Sequence, residues 1–337
     1  MSEKIDRRGF LKNSLVAGGA ALAAMRSFEE KALSAELEGA ARAGVPASAP
    51  APLEIPKGKI KDLEISRVIG GGNLMGGWAH SRDLMYVSPL VKAYHTDEKI
   101  LETFKLAEQR GVNTFLTNPV SSRLVTAYRK AGGKLLWISD CASTGTLKDS
   151  IKESIDTGAD AVYVQGGIAD KFVKDGQMKA LEDAMGFMKD QLVPCGLGAH
   201  SLETVRKCVE AGFDPDFWVK TLHRDDYWSA TPESGRVPFD EITGFKTDHD
   251  LNHDNMWCRN AKETIDFMAA LKKPWIAFKV LAAGAIHPRD AFQWAFENGA
   301  DFICVGMFDF QVIEDTEIAA KALQAVAQMK RARPWMA

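Results

Sequence analysis

The sequence predicts a closed (β/α)8 barrel, the TIM-barrel architecture, on three observations. Eight short β-rich runs alternate with segments of helical periodicity. Most of those segments close on Gly, as a helix C-cap does, and several open on Asp, Thr or Ser. Residues 62–337 are also long enough for one large core. Strands that alternate with helices imply a parallel sheet, and eight of them fit a closed barrel better than an open one.

In chain order the β-rich runs are ISRVIGGG (65–72), VNTFLTN (112–118), KLLWISDC (134–141) and ADAVYVQG (159–166), then PCGLGAHS (194–201), DFWVKTLH (216–223), PWIAFKVL (274–281) and ADFICVGM (300–307). Between them DEKILETFKLAEQRG, TLKDSIKESIDTG, LETVRKCVEAG and HPRDAFQWAFENG read as amphipathic helices. Two connections exceed what a barrel requires, residues 73–96 after the first strand and roughly 224–259 after the sixth. Both are rich in aromatic residues, among them Trp78 and Trp257, whose faces suit sugar rings.

A barrel of this kind does its chemistry at the carboxyl ends of its strands. Period-two alternation then selects the residues expected there. His200 shares a face with Gly198, His223 with Thr221, Lys279 with Ala277 and Trp275, Gln165 with Tyr163, Cys141 with Ser139, and Asn118 with Leu116. Ile276, Phe278 and Val280 are expected on the helix-facing side, and Asp140 and Lys220 have the opposite parity to the mouth residues. His200 and His223 are the expected acid–base pair, or, with Cys141, ligands of a divalent metal ion. Lys279 is expected to steady an oxyanion or form a Schiff base, with Asn118, Gln165, Trp78 and Trp257 binding substrate. A polar cluster, His249, Asp250, His253, Asp254 and Asn255, is a second candidate for a divalent ion, although no HExxH, HxH or CxxC spacing occurs. Gly70, Gly71 and Gly72 have the backbone freedom of a phosphate cradle but are not a GxGxxG that opens a helix.

Ahead of the barrel, residues 1–38 read as an export signal and the segment that follows it. Arg7 and Arg8 precede Gly9-Phe10-Leu11-Lys12 and a short apolar run that ends before Arg26, too short to span a bilayer. The paired arginines resemble the twin-arginine class, which moves folded proteins, so the export machinery is an expected partner and the periplasm the expected location. Residues 39–61 read as an Ala/Pro-rich tether. A net charge of −3, with no basic run beyond the signal, gives no electrostatic footprint for nucleic acid. Beyond the signal no apolar run reaches spanning length. The five cysteines, Cys141, Cys195, Cys208, Cys258 and Cys304, are widely spaced and read mostly as buried small hydrophobes.

Several stretches resemble the aldo-keto reductases in the right order: EISRVIGGGNLMGG (64–77), FKLAEQRGVNTFLTN (104–118), GLGAHSLETVRKCVEAG (196–212), AFKVLAAGAI (277–286) and VGMFDFQVIEDTEIAA (305–320). The resemblance covers most of residues 62–328 and implies the barrel and an NADP site at the eighth strand. The family's catalytic Asp, Tyr, Lys and His are another matter. Asn118 stands near the Asp position, the following PVSSR has no Tyr, Ser139 to Cys141 occupy the Lys position, and Gln165 replaces the His. Hydride transfer by that family's mechanism is therefore unsupported.

The leading expectation is an exported enzyme acting on a small polyhydroxylated, sugar-derived carbonyl compound by acid–base, isomerase, epimerase or lyase chemistry, with or without a metal. Beside it stand an aldo-keto reductase-like oxidoreductase that keeps NADP tightly bound and a non-catalytic binding barrel.

Overall fold

A computed structural model describes residues 51–80, 84, 86–142, 145–236 and 257–337. The twin-arginine stretch, the start of the tether and the polar cluster from His249 to Asn255 lie outside the described residues. No helix among those described is long and apolar enough to cross a membrane.

An antiparallel hairpin comes first, β1 (Lys57–Ile60) and β2 (Leu63–Ser66). The barrel follows: β3 (Val68–Gly71), β4 (Thr114–Thr117), β5 (Leu136–Ser139), β6 (Ala161–Val164), β7 (Cys195–Ala199), β8 (Phe217–Thr221), β9 (Trp275–Phe278) and β10 (Phe302–Val305). Each strand pairs in parallel with its successor, and β10 closes on β3 through Cys304 opposite Ile69. All eight lie inside the predicted runs. The helices are α1 (Val87–Tyr94), α2 (Asp97–Gln109), α3 (Ser122–Lys130), α4 (Leu147–Asp156), α5 (Gly166–Lys174), α6 (Met178–Lys189), α7 (Leu202–Glu210), α8 (Ala261–Ala269), α9 (Pro288–Glu297) and α10 (Asp309–Val326). Their starts obey the capping chemistry read in the sequence: Thr96 accepts from the Lys99 N–H, Thr146 makes a capping box with Asp149, and Ser201 accepts from the Glu203 N–H.

The hairpin begins inside the stretch 39–61 that composition assigns to the tether. Its first strand alternates exposed Lys57 and Lys59 with buried Gly58 and Ile60, a pattern too short to stand out beside the neighbouring Ala and Pro residues. Ile60 and Ile65 join Phe217 and Phe302 in the inner core and fill the amino-terminal end of the barrel. The C-terminal segment seals that end further. Arg67 donates to the carbonyls of Asp301 and Ala337 and lies 4.0 Å from the Trp335 ring, while Arg333 pairs with buried Asp301.

Two strands present the opposite face from the one expected. In β5 the Ser139 hydroxyl meets that of Ser154 on α4 at 2.8 Å, so Ile138 and Asp140 point inward and Cys141 outward. In β9 it is Ile276 and Phe278 that join the inner core, while Trp275, Ala277 and Val280 pack in the outer layer. Short strands with apolar residues on both faces carry no net alternation from which to choose a side. All five cysteines are buried and free.

Candidate active site

Lys279 follows β9 with φ at +58°, in the left-handed region that an L-residue enters at a cost of roughly 1–2 kcal/mol. This break in the strand, not alternation, carries its side chain into the barrel mouth. There Nζ lies 2.7 Å from Nε2 of His80 and 4.0 Å from the centroid of the Trp257 ring. His80 touches Trp257 edge-on, with ring centroids 4.7 Å apart. Burial, the Lys279 charge and His200 push the His80 imidazole down to about 3, so it is neutral and accepts the ammonium proton at Nε2, with its own proton on Nδ1.

His200, beyond the end of β7, shares the Phe278 ring as a neighbour with Lys279, whose charge acts on it. Its ring centroid is 5.2 Å from that of Phe278, and Lys279 Nζ is 5.9 Å from the same ring. Asp170 of α5 orients it. One carboxylate oxygen accepts the His200 backbone N–H at 2.8 Å and lies 3.0 Å from Nδ1; the other accepts the Thr204 hydroxyl at 2.6 Å and the Ser201 N–H at 3.3 Å. A ring that donates Nδ1–H to this carboxylate turns the lone pair of Nε2 away from it. Burial lowers the His200 pKa, opposed by Asp170, which favours the neutral form that can take a proton. Gly166 permits the packing, since a Cβ there would stand 3.1 Å from the ring.

Asp140 is a fourth ionisable group at the mouth. Continuing the pairings Leu116–Ile138 and Ile138–Ala161 by two residues sets it between Asn118 and Tyr163 on the inner face. The Ala142 N–H donates to its carboxyl at 3.1 Å. Burial raises its pKa to about 7, so near neutrality it can either hold or give up a proton. The Cys304 thiol feels both Lys279 and Asp140, and burial pushes it up to about 12.

His223 ends β8 with the expected parity but has a different occupation. Nδ1–H donates to the Arg224 carbonyl at 2.6 Å, and Nε2 accepts the N–H groups of Trp257 and Cys258 at 3.0 and 2.8 Å. Both nitrogens are thus spent on backbone, and burial holds the ring neutral down to about 3. Instead of meeting a substrate or a metal, His223 pins the returning end of the long second loop and so places Trp257.

The remaining candidates divide in the same way. Asn118 and Gln165 are at the mouth, but their side-chain oxygens cap the turns that follow, accepting from the N–H groups of Val120 and Ile168. Trp78 is 44% exposed, whereas Trp257 is buried at 2% beneath Lys279. Cys141 packs outward among the core residues, with Sγ 3.8 Å from the Ser139 carbonyl. The expected metal set of His200, His223 and Cys141 therefore does not converge, and no other group of three His, Cys, Asp or Glu fit for a metal occurs among the described residues. Sequence reasoning missed His80, Asp170 and the inward turn of Asp140. His80 had one available signal, an imidazole in the aromatic loop AHSRD beside Trp78.

No family model and no curated protein matches the chain. Among solved structures it is similar to a dihydrodipicolinate synthase (10% identity, TM-score 0.41, covering 69% of this chain and 72% of the other) and to the monotopic membrane protein (S)-mandelate dehydrogenase (10%, 0.46, 87% and 84%). A lactate oxidase of Pediococcus acidilactici is similar at 11% identity and a TM-score of 0.41, covering 85% of this chain and 77% of the other. Similarity at these values carries no functional argument, and the barrel assignment stands on the closed ring of eight parallel strands itself.

Proposed function

We propose that the chain is an enzyme that moves protons on a small polyhydroxylated carbonyl compound, of the isomerase, epimerase or lyase kind. The observation that carries this reading is the placing, beside the same Phe278 ring, of a lysine ammonium and an aspartate-oriented histidine at the mouth of the barrel. In this reading Nε2 of His200 removes the proton from the carbon beside the carbonyl. The C–H electrons form the enolate double bond and the carbonyl electrons move to oxygen, where the Lys279 ammonium meets the new charge. Asp140, on another strand, returns a proton from a second direction. Asn118 and Gln165 have their amide N–H groups to offer to hydroxyls.

The surroundings of Lys279 favour an ammonium over a Schiff-base amine: an aromatic face at 4.0 Å stabilises the cation, and a neutral imidazole accepts its proton. Borohydride added with substrate should therefore trap no adduct on Lys279. The reading is tested by incubating the full chain with neutral aldoses and ketoses in D2O and following deuterium at the carbon beside the carbonyl by NMR. Wild type should incorporate it and Lys279→Met should not. Absence of exchange with every compound, together with nicotinamide fluorescence from the dialysed protein, would replace this reading with the oxidoreductase one. We also propose export by the twin-arginine route, supported by Arg7 and Arg8; Arg7→Lys with Arg8→Lys should retain the protein in the cytoplasm.

A further inference from the structure

Beside the mouth, between the starts of α7 and α8, lies a cavity of about 490 Å3 that shares His200 and Trp257 with the site above. The geometry points to this cavity as the seat of a neutral, hydroxyl-bearing chain, so that the substrate is a sugar-type carbonyl compound with neither phosphate nor carboxylate. The inference rests on the proposed reaction only for the end of the ligand at Lys279; the cavity is argued from its own lining. Its volume is in the range of small-molecule sites.

Among the described residues the lining carries four basic and four acidic side chains, so charge does not select an anion. Three of the four cations are also committed. Arg206 is paired with Glu263, and Arg236 with Asp225 at 3.0 Å and with the carbonyls of Thr231 and Arg259. Lys220, 1% exposed, donates to the Thr221 hydroxyl at 2.6 Å. A phosphate would have to displace a carboxylate from a guanidinium and then sit beside it. A hydroxyl group donates and accepts at once, and can join such pairs by giving its proton to the carboxylate while taking one from the guanidinium. Trp257 supplies the apolar wall that the C–H side of a polyol requires.

Calorimetric titration of the full chain with xylitol and myo-inositol, and separately with inorganic phosphate and gluconate, tests the inference. The neutral polyols should bind wild type at least about five-fold more tightly than either anion. Glu263→Gln, which frees Arg206 at a half-exposed position, should weaken the polyols about five-fold and improve phosphate. Lys279→Met should retain polyol binding, which separates failure of the cavity from failure of the proposed chemistry. Tighter binding of phosphate or gluconate by wild type, no polyol binding, or polyol binding indifferent to Glu263→Gln would each overturn it.

Discussion

His200 and His223 stand at the ends of adjacent strands with the same parity, yet the fold uses them for opposite purposes. His200 receives a carboxylate on one nitrogen and keeps the other for the mouth. His223 has three backbone partners and nothing left to offer. The contrast teaches that a strand-end imidazole is defined by what satisfies its two nitrogens, and those partners come from distant segments: Asp170 thirty residues before His200, and Trp257 and Cys258 some thirty-five after His223.

The largest effect expected is the loss of deuterium exchange. Lys279→Met should lower it by about 10²–10³-fold, the usual cost of removing a group that meets developing charge, with an unchanged circular dichroism spectrum. His200→Asn should cost about 10²–10⁴-fold, the range of general acid–base catalysis. Asp170→Asn should move the pH profile of the remaining activity, because it alters how the ring is held.

His223→Ala should act on stability first. Two buried N–H groups lose their acceptor, at about 1–3 kcal/mol each, so denaturant titration should show a loss of roughly 2–6 kcal/mol. Turnover of the folded fraction should fall less than in His200→Asn. Equal loss of turnover in both variants would break the contrast.

The pH dependence of stability sharpens it. His223 stays neutral in the folded chain down to about pH 3, whereas an unfolded histidine takes up a proton near 6.5. Between those values the unfolded state binds more protons, so this residue's contribution is full above 6.5 and is lost as pH falls toward 3. Asp140 works in the other direction. Its folded value near 7 lies above the reference of 3.8, so it favours the folded state in acid and loses that contribution as pH rises through 7. Asp140→Asn should thus raise the melting temperature at pH 8 more than at pH 4, and His223→Gln should flatten the decline below pH 6. The smallest effect is expected at Trp78: with its exposed ring, Trp78→Ala should change stability by no more than about 0.5 kcal/mol, and a larger change would mean that the first loop packs on it.

Much of the architecture was legible because it is local. Capping residues such as Thr146 and Ser201, Gly C-caps and compact apolar runs recur at each unit, and eight repetitions leave little choice of fold. The short hairpin at Lys57–Ser66 escaped because its alternation covers only a few residues beside a Pro- and Ala-rich stretch. The site was legible in part. His200 and Gln165 were placed by alternation, since Gly198 and Tyr163 mark the inner face of their strands. Lys279 reached the mouth through a left-handed turn that no periodicity records.

The sequence by itself determined the alternation of strand and helix, hence the barrel, and which ionisable residues end its strands. Only the tertiary structure decided which of them act. It turned Asp140 inward and Cys141 outward, brought His80 of the first loop to Lys279, and consumed both nitrogens of His223. The physical reason is that secondary structure follows from side chains a few positions apart, whereas the charge state and free lone pairs of a buried group depend on partners that only closure of the barrel brings within 3 Å.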